Sequence, residues 1–177
     1  SLHYVIDGEP TYVAPVPFQP LFMAAHGGTI VIADGSRVGI STDYGNTFTT
    51  ASQSGVDQVF AHPSPTVVLS NGEIYSLAAD ATLTLLHTAD PENGLAWFSK
   101  TKRWLFTGNG PSLSKTADWS TIESHSDMPR STGAGDDAGD RRVLALDSGR
   151  ILGWTPSARD LFHYARFEDG SAAWRVS

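Results

Sequence analysis

The chain has 177 residues, 40% of them apolar and 18% charged, with a net charge of −7, 17 glycines, ten prolines and no cysteine. That length supports one sizeable core in one domain, and no run approaches the ~20 apolar residues of a membrane-spanning helix. Scattered basic residues on an acidic chain argue against a nucleic-acid partner, and the lack of cysteine excludes a disulfide framework, a thiolate metal site and a cysteine nucleophile.

Residues 1–20 begin with two stretches of strand character, 3–7 and 11–15, around Asp7-Gly8, and leave through Pro15, Pro17 and Pro20, which stiffen an extended exit. They are expected to be extra N-terminal strands or a docking arm. From residue 21 the pattern becomes periodic. The first unit, 21–56, predicts strands near 21–25, 29–33, 37–41 and 48–50; the second, 57–93, predicts them near 58–61, 66–70, 73–77 and 82–86. The third, 94–140, predicts 95–99, 103–107, 112–114 and 120–122. The fourth, 141–177, has altered spacing, with 142–146, 150–154, 161–165 and 172–176.

Asp34-Gly35, Asn71-Gly72 and Asn109-Gly110 separate the second and third strands of the first three units. Such dipeptides predict type I′ hairpin turns, which need φ > 0 at both central positions. Gly35, Gly72 and Gly110 lie 37 and 38 residues apart, and each is followed after eight residues by an aspartate: Asp43, Asp80 and Asp118. Four short antiparallel strands repeated about four times predict an all-β chain, a small β-propeller of about four four-stranded blades. A β-sandwich also uses many short strands, but does not place three aspartates in register with three turns. The Gly-His and Trp-Asp signatures of a WD-repeat propeller are absent.

Ser41, Asp43, Gly45, Thr47 and Phe48 stand as Ser-x-Asp-x-Gly-x-Thr-aromatic. This run resembles the Asp-box, or BNR repeat, of the sialidase family and related propeller proteins. The resemblance is tight over 41–48 and loose over 21–177. It implies that these five residues are structural, closing the turn between the third and fourth strands. Asp80 and Asp118 are then degenerate copies, because Thr82 and Ser120 replace the glycine. Sialidase chemistry would need an early Arg-Ile-Pro, three arginines on the sugar carboxylate, a tyrosine–glutamate pair and an acid/base aspartate. No Arg-Ile-Pro occurs, and no spacing identifies the others, so no catalytic residue is nominated.

If the first strand of each unit is innermost, the Asp34-Gly35-type hairpins share one face with the connectors 52–57, 89–94 and 125–140. The aspartate corners lie on the opposite face with the turns between first and second strands. The 125–140 connector carries Arg130, Asp136, Asp137 and Asp140. It reads as a recognition loop, as a weak calcium site built on oxygen ligands, or as a solvated insertion. His26 and His62 follow the first strands of adjacent units. They could converge near the axis to hold an anion or a metal, or be turn residues bonded to backbone. Trp119 offers a stacking surface or joins the core, and Trp97, Trp104, Trp154 and Trp174 fall on strands and read as core.

The resulting expectation is a non-catalytic recognition or interaction propeller that binds a glycan or a protein, as a module of an extracellular or virion-attached assembly. No cofactor is implied beyond the weak calcium site. A sialidase-like glycoside hydrolase of reduced blade number and a purely architectural subunit stay open, as does a homo-oligomer.

Overall fold

Short runs of Val, Ile, Thr, Tyr and Phe, cut by Gly, Pro and Asp-rich turns, leave no stretch long enough for a helical period, so the chain folds into strands. The computed structural model describes residues 2–6, 9–89, 95–98, 102–107, 112–127, 142–145, 150–154, 162–168 and 171–176. Strands β1 (Leu2–Ile6) and β2 (Glu9–Ala14) form a two-stranded antiparallel sheet, and among the described strands they pair only with each other.

Four four-stranded antiparallel meanders follow. The first joins β3 (Phe22–His26), β4 (Thr29–Ala33), β5 (Arg37–Ser41) and β6 (Thr49–Ser52), and the second joins β7 (Val56–Phe60), β8 (Thr66–Leu69), β9 (Glu73–Leu77) and β10 (Leu83–Thr88). The third joins β11 (Leu95–Phe98), β12 (Arg103–Thr107), β13 (Ser112–Thr116) and β14 (Glu123–Asp127). The fourth joins β15 (Arg142–Ala145), β16 (Arg150–Trp154), β17 (Phe162–Glu168) and β18 (Ser171–Val176). The fold is all-β, a small β-propeller with one meander per blade.

The chain divides into two compact units, Ser1–Thr88 and Ala89–Ser177. In the first, the inner strands β3 and β7 of neighbouring blades run side by side; in the second, β11 runs beside β15 and β14 beside β18. The first unit's core lies between its two blades. Val31, Ala33, Val38 and Ile40 of the first blade meet Val56, Val59, Val67, Leu69 and Leu77 of the second, with Phe22, Ala24, Tyr75 and Leu83 at the margin. Fully burying such a side chain contributes about 1.5–3 kcal/mol.

Alternation sends Ile30 and Ile32 to the other face of β4, where Phe18 and Val16 of the N-terminal segment and Phe48 pack over them. Gly39 is opposite Ile32 in the ladder, and a Cβ there would come within 3.1 Å of the Ile32 side chain. The Arg37 guanidinium lies 4.5 Å from the centre of the Phe18 ring and pairs with Asp34 at 2.6 Å. The segment before the first unit is thus pinned to the first blade.

The hairpins between second and third strands differ from the sequence expectation. Gly35 does not adopt positive φ: Asp34 Oδ1 instead accepts the amides of Ser36 and Arg37, so a side chain closes the turn. At Asn71-Gly72 only Gly72 has positive φ, +86°, and its amide donates to Leu69 O. That is the three-residue loop in which a type I turn ends in a left-handed glycine. Neither is type I′, because three residues rather than two separate the strands. The turn at Asn109-Gly110 lies outside the described residues. In the third blade β14 starts at Glu123, later than the sequence predicts, because residues 117–122 are held in the corner.

Candidate functional site

Each of the first three blades turns from its third to its fourth strand through an aspartate corner: residues 42–48, 78–82 and 117–122. The residue after each aspartate is left-handed, with φ of 62° at Tyr44, 64° at Ala81 and 66° at Trp119. Three different side chains therefore adopt one conformation that ordinarily costs about 1–2 kcal/mol. The compensation is a carboxylate that gathers the turn's donors.

In the first corner Asp43 accepts the Thr47 amide at 2.9 Å, the Thr47 hydroxyl at 2.6 Å and the Ser41 hydroxyl at 2.8 Å. Ser41, only 2% exposed, also accepts the Gly45 amide at 2.8 Å. In the second, Asp80 accepts the Thr82 amide and hydroxyl, and the backbone adds Ala81 N–H to Ala78 O. In the third, Asp118 accepts the amides of Ser120 and Thr121 while the buried Thr116 hydroxyl accepts the Trp119 amide.

The electrostatics follow the bonding. The Thr47 hydroxyl, then the Thr47 amide and the Ser41 hydroxyl, hold the Asp43 carboxyl down from 3.8 to about 2. Asp80 is lowered chiefly by the Thr82 amide, and Asp118 chiefly by the Ser120 hydroxyl. All three stay ionised at neutral pH, acting as acceptors within their own turns. Thr116 was the residue that sequence reasoning missed. Its signal was a hydroxyl two positions before an aspartate, as at Ser41.

The corner of the first blade docks on the turn between its first two strands. Tyr44 N–H donates to Gly28 O at 2.9 Å, and a Cβ on Gly28 would lie 3.1 Å from the Tyr44 ring. Gly27, at φ +56°, forms with Gly28 a two-residue link between the paired residues His26 and Thr29. In the second blade the Leu77 amide donates to Pro65 O, bringing the 61–65 loop alongside the 78–82 corner. One face of the first unit therefore carries both corners and both loops that contain His26 and His62. On that face the two imidazoles meet, their ring centres 4.1 Å apart and their planes tilted by 41°. Both are exposed, and on the first blade Tyr44, whose amide is bonded to Gly28, is 58% exposed.

The opposite face carries the hairpins between second and third strands. The connector between β6 and β7 is fastened to both hairpins, by Gln53 N–H to Ser36 O at 2.9 Å and Ser70 N–H to Gly55 O at 2.7 Å. Trp119 sits apart from the histidines in sequence and blade. Half-buried, its ring centre lies 5.7 Å from that of Trp104 and 5.9 Å from that of Phe106, and Trp97 meets Trp104 edge-on at 5.2 Å. Arg130, Asp136, Asp137 and Asp140 lie outside the described residues, as does the calcium expectation that rests on them. Among the described residues no three His, Asp or Glu side chains cluster in a metal-binding group.

No family model matches the chain, and no curated protein matches it in sequence. Solved β-propeller structures match in fold. A structure of YCF48 bound to D1 peptide aligns with a TM-score of 0.58 and 14% identity, over 96% of this chain and 57% of that one. BamB from Moraxella catarrhalis aligns at 0.55 with 12% identity, over 85% and 50%. An auxiliary nutrient binding protein from Bacteroides ovatus aligns at 0.58 with 11% identity, over 84% and 38%. The chain spans about half the length, or less, of these structures. At such identities the likeness shows the fold.

Proposed function

We propose that the chain is a non-catalytic interaction propeller that binds a protein partner through the corner face of its first two blades. The observation that carries this reading is Tyr44. A large aromatic side chain is held outward on a left-handed residue, and its backbone is tied to Gly28. Rigid, exposed tyrosine is favoured in interface cores because it brings apolar area and a hydrogen-bonding tip at low entropic cost. The exposed His26 and His62 meet on the same face, and the run 41–48 reads as an Asp-box that serves as the mount. The YCF48 structure, solved with a bound peptide, supports protein over glycan as ligand. Trp119, packed on Trp104 and Phe106, presents only part of its ring for a sugar. Residues 1–20 are read as extra N-terminal strands or a docking arm, anchored to the first blade through Val16 and Phe18, and the module belongs to an extracellular or virion-attached assembly.

Photo-crosslinking from position 44, with position 54 on the opposite face as control, tests the reading. The expected result is a defined protein adduct from 44, lost in the presence of the unlabelled chain and absent from 54. Saturable glycan-array binding would replace protein with glycan as the ligand. Turnover of a fluorogenic sialoside would replace recognition with a sialidase-like activity. Adducts only between copies of the chain would make the subunit architectural.

A further inference from the structure

We propose that His26 and His62 form an open two-imidazole site for a borderline transition-metal ion such as Zn²⁺, Ni²⁺ or Cu²⁺. Imidazole nitrogen suits these ions, and the pair has the three properties a site needs. The rings are close, with centres 4.1 Å apart. Metal–nitrogen bonds of about 2.0–2.1 Å place the two donor nitrogens roughly 3.3 Å apart in tetrahedral geometry, so the facing rings must swing apart by about 1 Å to take up an ion. The rings are also exposed, so an ion can enter from solvent without opening the fold.

Finally, their backbones are independently fixed. His26 ends β3 in register with Thr29 and is followed by left-handed Gly27, while His62 lies in the loop fastened by the Leu77–Pro65 hydrogen bond. The side-by-side course of β3 and β7 brings the two loops together across a blade boundary. An ion there would bridge neighbouring blades. The chain's net charge of −7 favours a cation generally.

Two imidazoles fill half of a tetrahedral shell. No third His, Asp or Glu joins them in a cluster among the described residues, so water completes the coordination. The affinity is that of an open site. This goes beyond the interaction reading, because the isolated chain must bind the ion without any partner.

The test is calorimetric titration of the full chain with Ni²⁺ in a chelator-free neutral buffer, beside His26→Asn, His62→Asn and the double variant. Thermal midpoints in the absence of metal confirm that each variant folds. The expected result is one ion per wild-type chain. Each single change should weaken it by at least the roughly 10–100-fold that loss of an outer-sphere partner costs. Bound Cu²⁺ should show hyperfine coupling to two imidazole nitrogens by electron paramagnetic resonance in the wild type, and to one in each folded single variant. Ni²⁺ binding of equal strength in the folded double variant, or no saturable binding by the wild type, would overturn the site.

Discussion

The corners at 42–48 and 78–82 occupy equivalent places in adjacent blades, yet are held differently. Both turn on an aspartate followed by a left-handed residue, φ 62° and 64°. The first corner relies mainly on side chains, with Ser41, Asp43 and Thr47 bonded to one another and to turn amides beside the backbone bonds of Tyr44 and Asn46. The second bonds Asp80 to the Thr82 amide and hydroxyl, and lets Ala78 O take the place of the Ser41 hydroxyl. The shared kernel is the carboxylate with its threonine partner and the left-handed residue, and the Ser41 hydroxyl is what the longer corner adds. Tyr44 faces solvent, whereas Ala81 packs into the core.

The largest effect is expected from removing the buried hydroxyl of the first corner. Ser41→Ala leaves the Gly45 amide without its acceptor and should cost about 1–3 kcal/mol. In a chain of this size each kcal/mol lowers the thermal midpoint by roughly 2–4 °C. Ala78→Ser, which adds the missing hydroxyl to the second corner, should gain much less, because Ala78 O already holds the Ala81 amide. Equal and opposite changes would erase the distinction drawn between the corners.

Acid comes next. The folded-state value of Asp43 is depressed from 3.8 to about 2. Its stabilisation is therefore complete above about pH 4 and is lost as pH falls towards 2. Asp34, lowered to about 2 mainly by the Arg37 guanidinium, loses its contribution in the same window. Denaturant midpoints of Asp43→Asn should change less between those limits than the wild type. Asp80→Asn should resemble the wild type more closely, since Asp80 keeps fewer bonds. A wild-type-like acid profile in Asp43→Asn would break the assignment.

Relief of backbone strain should then differ in sign. Tyr44→Gly frees an exposed left-handed residue and should stabilise the fold by up to about 1 kcal/mol. Ala81→Gly relieves the same conformation but removes a buried methyl worth about 0.8 kcal/mol, so its midpoint should not rise. The smallest effect on stability is expected from Gly28→Ala, under about 1 kcal/mol. The added methyl meets the outer edge of the Tyr44 ring, which can swing away. The same change should reduce crosslinking from position 44, by moving the ring that forms the proposed interface.

Much of the architecture was legible because alternation and turn residues mark strands locally. The segments 29–33, 37–41, 73–77 and 103–107 match the folded strands residue for residue. The eight-residue offset from glycine to aspartate located all three corners. Turn type was less legible. Asp34-Gly35 looks like a two-residue hairpin in sequence, but Asp34 can close the turn with its own carboxylate, a choice that depends on loop length. The actual two-residue link, Gly27-Gly28, was passed over because it precedes no aspartate. The meeting of His26 and His62 depends on how β3 and β7 align across blades, which no local pattern encodes, so the sequence could suggest it without fixing a distance. That Phe18 belongs with Ile30 and Ile32 was hidden for the same reason.

The most direct measurement is nuclear magnetic resonance of the backbone at Tyr44, Ala81 and Trp119, using HN–Hα couplings and carbon chemical shifts to fix φ in solution. A repeated aspartate corner requires positive φ at all three residues. Ordinary negative φ at Ala81 or Trp119, with Tyr44 alone left-handed, would mean that the corners are unrelated turns and that their common spacing in the sequence is coincidental.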